Sequence, residues 1–217
     1  MTGVKGTQRA YRSPVRELAA HRTHEAVVAA AAEVFTENAY AGATIELIAA
    51  RAGVSRATVF GVGGKAQLFA LARMHAASGG RLTENDKRFV QLLTIPDARQ
   101  LLGEFAGFTA AISQRLGPLQ VVLEQAATTD SELAQLQVSS QQELVECARA
   151  VVAAVAATGS LRPDISAEAA ADILWFQIQP MNYRRLVGER GWSHEAFERW
   201  HGEAMIANLL RVRDVAV

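Results

Sequence analysis

Residues 44–65 read TIELIAARAGVSRATVFGVGGK. Thr44 opens an apolar stripe of Ile45, Ile48, Ala49 and Ala52 at helical spacing, and Gly53 ends it. Ser55 can cap a further helix through Arg56-Ala57-Thr58-Val59-Phe60, since its side-chain oxygen can accept an otherwise unpaired first-turn amide. Two short helices joined by a tight glycine-containing turn describe a helix-turn-helix. Glycine at that turn permits a reversal that a side chain would obstruct. Gly61, Gly63 and Gly64 then break the helix, and another is predicted from Lys65 through Leu68, Phe69, Leu71 and Ala72.

The glycine-lysine stretch also has to be weighed as a nucleotide site. A phosphate-binding P-loop needs a glycine five residues before Gly64 and a Ser or Thr after Lys65; the sequence has Val59 and Ala66. A dinucleotide fingerprint fails as well, because residue 66 is not glycine and no strand precedes the glycines. A nucleotide enzyme of this kind would bind ATP and lose it in Lys65→Ala. The reading left is a turn whose lysine and free amides suit one anionic oxygen, in this context a DNA backbone phosphate.

The rest of the chain fits that reading. Its 217 residues are 50% hydrophobic and 20% charged, which suits a globular protein of one or two domains. Few aromatics and much alanine favour helix over sheet. No run of about 18 uncharged apolar residues is present, so no membrane partner is expected. The basic N-terminus (Lys5, Arg9, Arg12, Arg16) is followed by no apolar block, unlike a secretory signal. A single cysteine, Cys147, cannot form an internal disulfide, which points to the reducing cytoplasm. Net charge is zero, yet residues 1–65 hold eight Lys/Arg against five Glu. That excess is consistent with a polyanion partner at this end, or with an accident of surface composition.

Residues 1–20 lack periodicity and read as a flexible basic arm. A helix follows with Thr23 as N-cap and Ala26, Val27, Ala30, Ala31, Val34 and Phe35 on one face, stopping near Asn38. Later helices are predicted over residues 97–116, ended by Gly117-Pro118, then 119–127, 130–157, 166–187 with a kink at Pro180, and from Ser193 onward. Phe197, Trp200, Ala204, Ala207 and Leu210 would share a face of the last. No alternating strand pattern occurs, so the fold is expected to be all-α. The domain reading is an arm at 1–20, a helix-turn-helix domain at 21–66 and a ligand-binding and dimerisation domain at 67–217.

Residues 39–69, AYAGATIELIAARAGVSRATVFGVGGKAQLF, resemble the DNA-binding signature of TetR-family transcriptional regulators. The match lies at Tyr40, Thr44, Ile45, Ile48, Ala49, Ala52, Gly53, Val54, Ser55, Thr58 and Lys65. The resemblance implies a homodimeric, ligand-responsive repressor binding a palindromic operator in double-stranded DNA, with no cofactor and no enzymatic activity. The helix after Ser55 would enter the major groove with Arg56, Ala57 and Thr58 nearest the bases. Thr44, Thr58 and Lys65 would serve phosphates, and Ser55, Phe60 and Gly61 would lie in the same interface. Arg56 could read guanine, contact a phosphate or remain solvated. The last two helices would pair in the dimer, involving Phe197, Trp200 and Met205.

Three departures stand out. Ala39 replaces the family's usual glycine, Phe60 replaces a tyrosine, and the turn after Phe60 is rich in glycine and one residue short. These motivate an alternative: an all-α ligand-binding dimer with degenerate DNA recognition that acts through a protein partner. The basic arm could reach the minor groove or make no contact. For an unknown small-molecule effector, Phe105, Phe108, Trp175, Gln177, Gln179 and Tyr183 are the pocket candidates, each also readable as core or surface. His21 with His24 and His194 with His201 lack further ligands at metal spacing, so no metal site is expected. Cys147 has no activating neighbour, Asp164 and Asp172 make no acid-base pair, and no catalytic residues are assigned.

Overall fold

The computed structural model describes residues 14–80 and 82–211, with side chains from residue 18 onward except those of 82–85. Its helices are α1 (Pro14–Gly42), α2 (Ile45–Ala52), α3 (Arg56–Val62), α4 (Lys65–Ser78), α5 (Leu82–Leu92), α6 (Ala98–Ala126), α7 (Ser131–Ala157), α8 (Ala167–Gln177), α9 (Pro180–Tyr183) and α10 (His194–Leu209). A π-helical turn, Arg184–Glu189, continues α9. Among the described residues no strand forms, and one isolated bridge joins Leu161 to Leu210. The fold is all-α.

The N-terminal helices are fixed by caps that the sequence supplies. Thr44 Oγ1 accepts the Leu47 amide at 3.2 Å, and Ser55 Oγ accepts the Thr58 amide at 3.1 Å. Gly53 closes α2 in the left-handed region (φ 67°), which glycine reaches without steric cost. Phe35, Tyr40 and Phe69 pack with ring centroids 5.0–5.7 Å apart, binding the end of α1 to α4. Val59 is the buried residue of α3.

This N-terminal core does not close on itself. Ile48, Val59, Leu68 and Phe69 share one apolar cluster with Leu119, Leu123 and Leu133 of α6 and α7. A second cluster, around Leu101, Phe105, Val151, Val155, Leu174 and Met205, holds α6, α7, α8 and α10 together. α6 belongs to both clusters and is the long strut of the molecule.

Several boundaries differ from the sequence reading. α1 begins at Pro14, so Thr23 is no cap; its hydroxyl donates to Ala19 O inside the helix. Residues 1–13 of the expected basic arm lie outside the described residues, and 14–20 are helical. α5 was not anticipated, because its sequence is mostly polar. α6 runs unbroken through Gly117-Pro118. Pro118 lies on the exposed side of the helix, while Leu119, Val122 and Leu123 bury and hold it. α8 ends at Gln177 and the chain restarts at Pro180. In α10 the buried face is Phe197, His201, Gly202, Met205 and Leu209, rotated from the stripe expected. Phe197 and Met205 are therefore core of the subunit itself rather than an interface.

Ala39 breaks α1 with φ 53° and ψ 178°, a conformation that L-residues with a Cβ reach only under strain. The strain is of order 1–3 kcal/mol, and glycine's extra freedom in the unfolded chain would take back about 0.5–1 kcal/mol. Ala39→Gly should therefore raise the melting temperature in calorimetry. An equal or lower melting temperature would show that alanine is unstrained there.

Candidate nucleic-acid interface and effector cavity

α3 is held from one side. Val59 is fully buried, whereas Ser55, Arg56, Ala57, Phe60 and Gly61 are exposed. Helical spacing puts 56, 57, 60 and 61 on one face, away from Val59. Phe60 leaves 57% of its surface in water, an unusual exposure for a phenylalanine on a short helix. The Ser55 and Thr58 hydroxyls lie 2.9 Å apart and bond to each other. Arg56 pairs with Glu46 of α2 at 2.7 Å, both side chains being more than half exposed.

The glycines after Phe60 do not unravel the helix. α3 continues through Gly61 and Val62, and Gly63 N–H donates to Val59 O at 3.2 Å. Gly63 has an extended backbone, and none of Gly61, Gly63 and Gly64 needs the left-handed region. α4 then starts at Lys65 with no side-chain cap on its first amides. Lys65 Nζ sits 4.6 Å above the Tyr40 ring and 3.4 Å from Ala41 O. Partial burial lowers the Lys65 pKa and Asp130 opposes that. Thr44, exposed at the start of α2, completes the set.

A cavity of about 510 Å³ opens between α4, α5, α6, α7 and the start of α9. Of the six pocket candidates, Phe108 lines it. Phe105 is fully buried behind Phe108 in the main core. Trp175 Nε1 and Gln179 Nε2 both donate to Gln141 Oε1, at 3.0 and 3.1 Å, and Gln141 is a lining residue. Gln177 Oε1 is buried without a partner. Tyr183 packs on Phe197, and its hydroxyl lies 3.0 Å from His194 Nδ1. The six do not converge on one site.

What converges is polar. The buried polar side chains of the described residues are Arg73, Ser78, Thr109, Ser113, Gln120 and His201. The first five all line this cavity, and His201 Nε2 lies 3.1 Å from Thr109 Oγ1. Ser78 and Thr109 donate to carbonyls of their own helices and Gln120 bonds Arg73 and Glu124, whereas Arg73 Nη1 is buried at this hollow without a partner. The sequence carried the signal: Thr109, Ser113 and Gln120 interrupt the otherwise apolar inner face of α6 at 109, 113 and 120.

Other groups are accounted for locally. His21 pairs with Glu25 at 3.5 Å on the surface, and among the described residues no group of three metal-binding side chains occurs. Burial pushes the Cys147 thiol up to about 12, so it is an unreactive lining group. Asp164 is held by Arg162, which keeps its carboxyl below the usual range. No helix of the described residues is long and apolar enough to cross a membrane.

Residues 27–71 match the family described as bacterial regulatory proteins, tetR family. No curated protein matches the chain. Solved structures similar to it include one described as a TetR-family transcriptional regulator from Mesorhizobium loti, with TM-score 0.68 and 20% identity, covering 88% of this chain and 98% of that one. NalD of Pseudomonas aeruginosa, the secondary repressor of the MexAB-OprM multidrug efflux pump, has TM-score 0.68 and 21% identity over 89% of this chain and 98% of its own. The transcriptional regulator FadR of Bacillus subtilis, in complex with stearoyl-CoA, has TM-score 0.69 and 14% identity over 85% and 98%. At these identities the likeness is one of fold.

The buried His201 gives a pH test. Desolvation pulls its pKa from 6.5 down to about 4, so the folded protein holds it neutral. The unfolded chain binds the proton first, and stability falls as pH drops below about 6.5, by about 2 kcal/mol at pH 5 from this group. His201→Gln, which can keep a bond to Thr109, should lose less stability than the wild type between pH 7 and 5 in urea unfolding. Equal losses in both proteins would contradict this assignment.

Proposed function

With the tetR-family N-terminal domain and the fold of that family's regulators as premise, we propose that this chain is a cytoplasmic transcriptional repressor. It binds a palindromic operator as a homodimer and leaves it when a small molecule enters the cavity. The observation that carries the reading is α3, fastened by Val59 and capped by Ser55, with Arg56, Ala57, Phe60 and Gly61 bare on the opposite face. A helix so mounted can enter a major groove without disturbing the core. Thr44, Lys65 and the uncapped amides at the start of α4 are the phosphate contacts.

Arg56 is the base reader in this account. Its pair with Glu46 is solvent-screened and contributes little, whereas a bidentate contact to guanine discriminates by about 1–3 kcal/mol. Exchanging the first for the second is favourable at the right base. Exposed Phe176, Trp192 and Trp200 near the C-terminal end supply apolar surface for a second copy. A dimer would then hold two α3 helices at half-sites about 34–36 Å apart.

The cavity communicates with this interface through one rigid element. α4 carries Lys65 at its first residue and Arg73 in the cavity wall, and Arg115 of α6 bonds the carbonyls of Ala76 and Ala77 at its far end. A ligand that shifts α4 therefore shifts the spacing of the two recognition helices. A coupling of about 1–3 kcal/mol changes operator affinity several-fold or more.

Binding to DNA from its own promoter region should weaken steeply with salt, because phosphate contacts release counterions. Lys65→Ala should lower the slope of log affinity against log salt by about one. Arg56→Ala should lower affinity for the preferred sequence more than for random DNA. A flat salt response in a fluorescence titration would remove the DNA-binding reading.

A further inference from the structure

Among the groups that line the cavity, one keeps a buried donor without a partner. Arg73 is 93% buried, since 7% of its surface remains accessible. Nη2 donates to Gln120 Oε1 at 3.0 Å, while Nη1 is buried with no partner. Gln120 is itself oriented by Glu124, donating Nε2 to its carboxylate at 3.1 Å, so no carboxylate hydrogen-bonds to Arg73 through this side chain. The remaining carboxylates at the cavity, Asp86 and Glu143, are exposed and no ion pair joins either to Arg73. Burial lowers the Arg73 pKa to about 10, with Glu143 and Glu124 opposing, and the guanidinium stays charged at neutral pH.

A buried cation with an unused donor is costly, and the cost is offset when an anion accepts from it. A charge removed from water also acts more strongly on a ligand than hydrated charges at a rim. That comparison favours Arg73 over Asp86 and Glu143 as the group that selects the ligand's charge. Beside it the wall is apolar: Phe89, Phe108, Ile112, Leu116, Leu136 and Leu144. The volume of about 510 Å³ suits a small organic molecule rather than an inorganic ion.

We infer that the effector is an organic anion with an apolar body, its carboxylate or equivalent held by the unused Nη1 of Arg73 and its body laid against Phe89 and Phe108. The inference rests on the reading of the chain as ligand-responsive and specifies the chemistry of that ligand. The carboxylate forms a charge-assisted bond to the guanidinium, and this is compatible with the small hydroxyls of Ser113 and Thr109 in the same wall.

Isothermal titration of the full chain with decanoate, decanamide and decyltrimethylammonium tests this, because the three share a tail and differ in head charge. Decanoate should bind, the amide should bind at least about tenfold more weakly, and the cation weaker still. Arg73→Met should bind decanoate at least tenfold more weakly while melting no lower than wild type, since it removes a buried, half-partnered charge. Arg73→Lys should retain part of the preference for the anion and serves if the methionine variant is not folded. Equal binding of acid and amide, tighter binding of the cation, no binding of decanoate, or undiminished binding in both variants would each overturn the inference. A DNA titration on the same samples separates the two claims. Decanoate bound with no change in DNA affinity would sink the ligand-responsive reading but leave the anion site standing.

Discussion

The structure depends on the burial of α4 in two places at once. Leu68 and Phe69, fully buried, lock its first half into the cluster that also holds Ile48, Val59, Leu123 and Leu133. Arg73, one turn later, stands in the wall of the cavity. Interiors packed at crystal-like density transmit small displacements instead of absorbing them. The helix-turn-helix therefore cannot move independently of α6 and α7, and α6 and α7 form much of the cavity wall. The helix-turn-helix and the cavity are parts of one packed unit.

Much of this was legible in the sequence, most clearly where local chemistry decides the structure. Thr44, Gly53, Ser55, Asp130, Ser166 and Ser193 mark boundaries through cap geometry, and the structure uses each of them that way. Reading failed where tertiary packing overrides a local signal. Gly117-Pro118 looks like a break, but the burial of Leu119 and Leu123 carries α6 straight through it. Thr23 looks like a cap, but the helix starts nine residues earlier at Pro14. Ala39 is the reverse case, since its departure from glycine was visible and the strain of a positive φ on an alanine is the physical consequence.

Of the aromatic and amide residues that suggest a pocket in the sequence, Phe108 alone lines the cavity. Trp175, Gln177 and Gln179 cluster in sequence, yet Trp175 and Gln179 serve the joint between α8 and α7 through Gln141, and Gln177 Oε1 is buried without a partner. The informative residues were small or charged ones inside apolar faces: Thr109 and Ser113 on α6, and Arg73 on α4. No single helix reveals such a site, because α4 and α6 meet only when the chain is folded. His201 is part of the same pattern, a polar group reaching Thr109 from α10. It links the cavity wall to the last helix, next to the exposed tryptophans.

The claim on which all of this turns is that the bare face of α3 reads a particular DNA sequence. Sequencing the genomic fragments that the purified protein retains addresses it most directly. The account requires one shared motif with two inverted halves a helical turn apart, and its enrichment must disappear when Arg56 and Ala57 are altered. Fragments with no common motif would contradict it and would favour a dimer that acts through a protein partner.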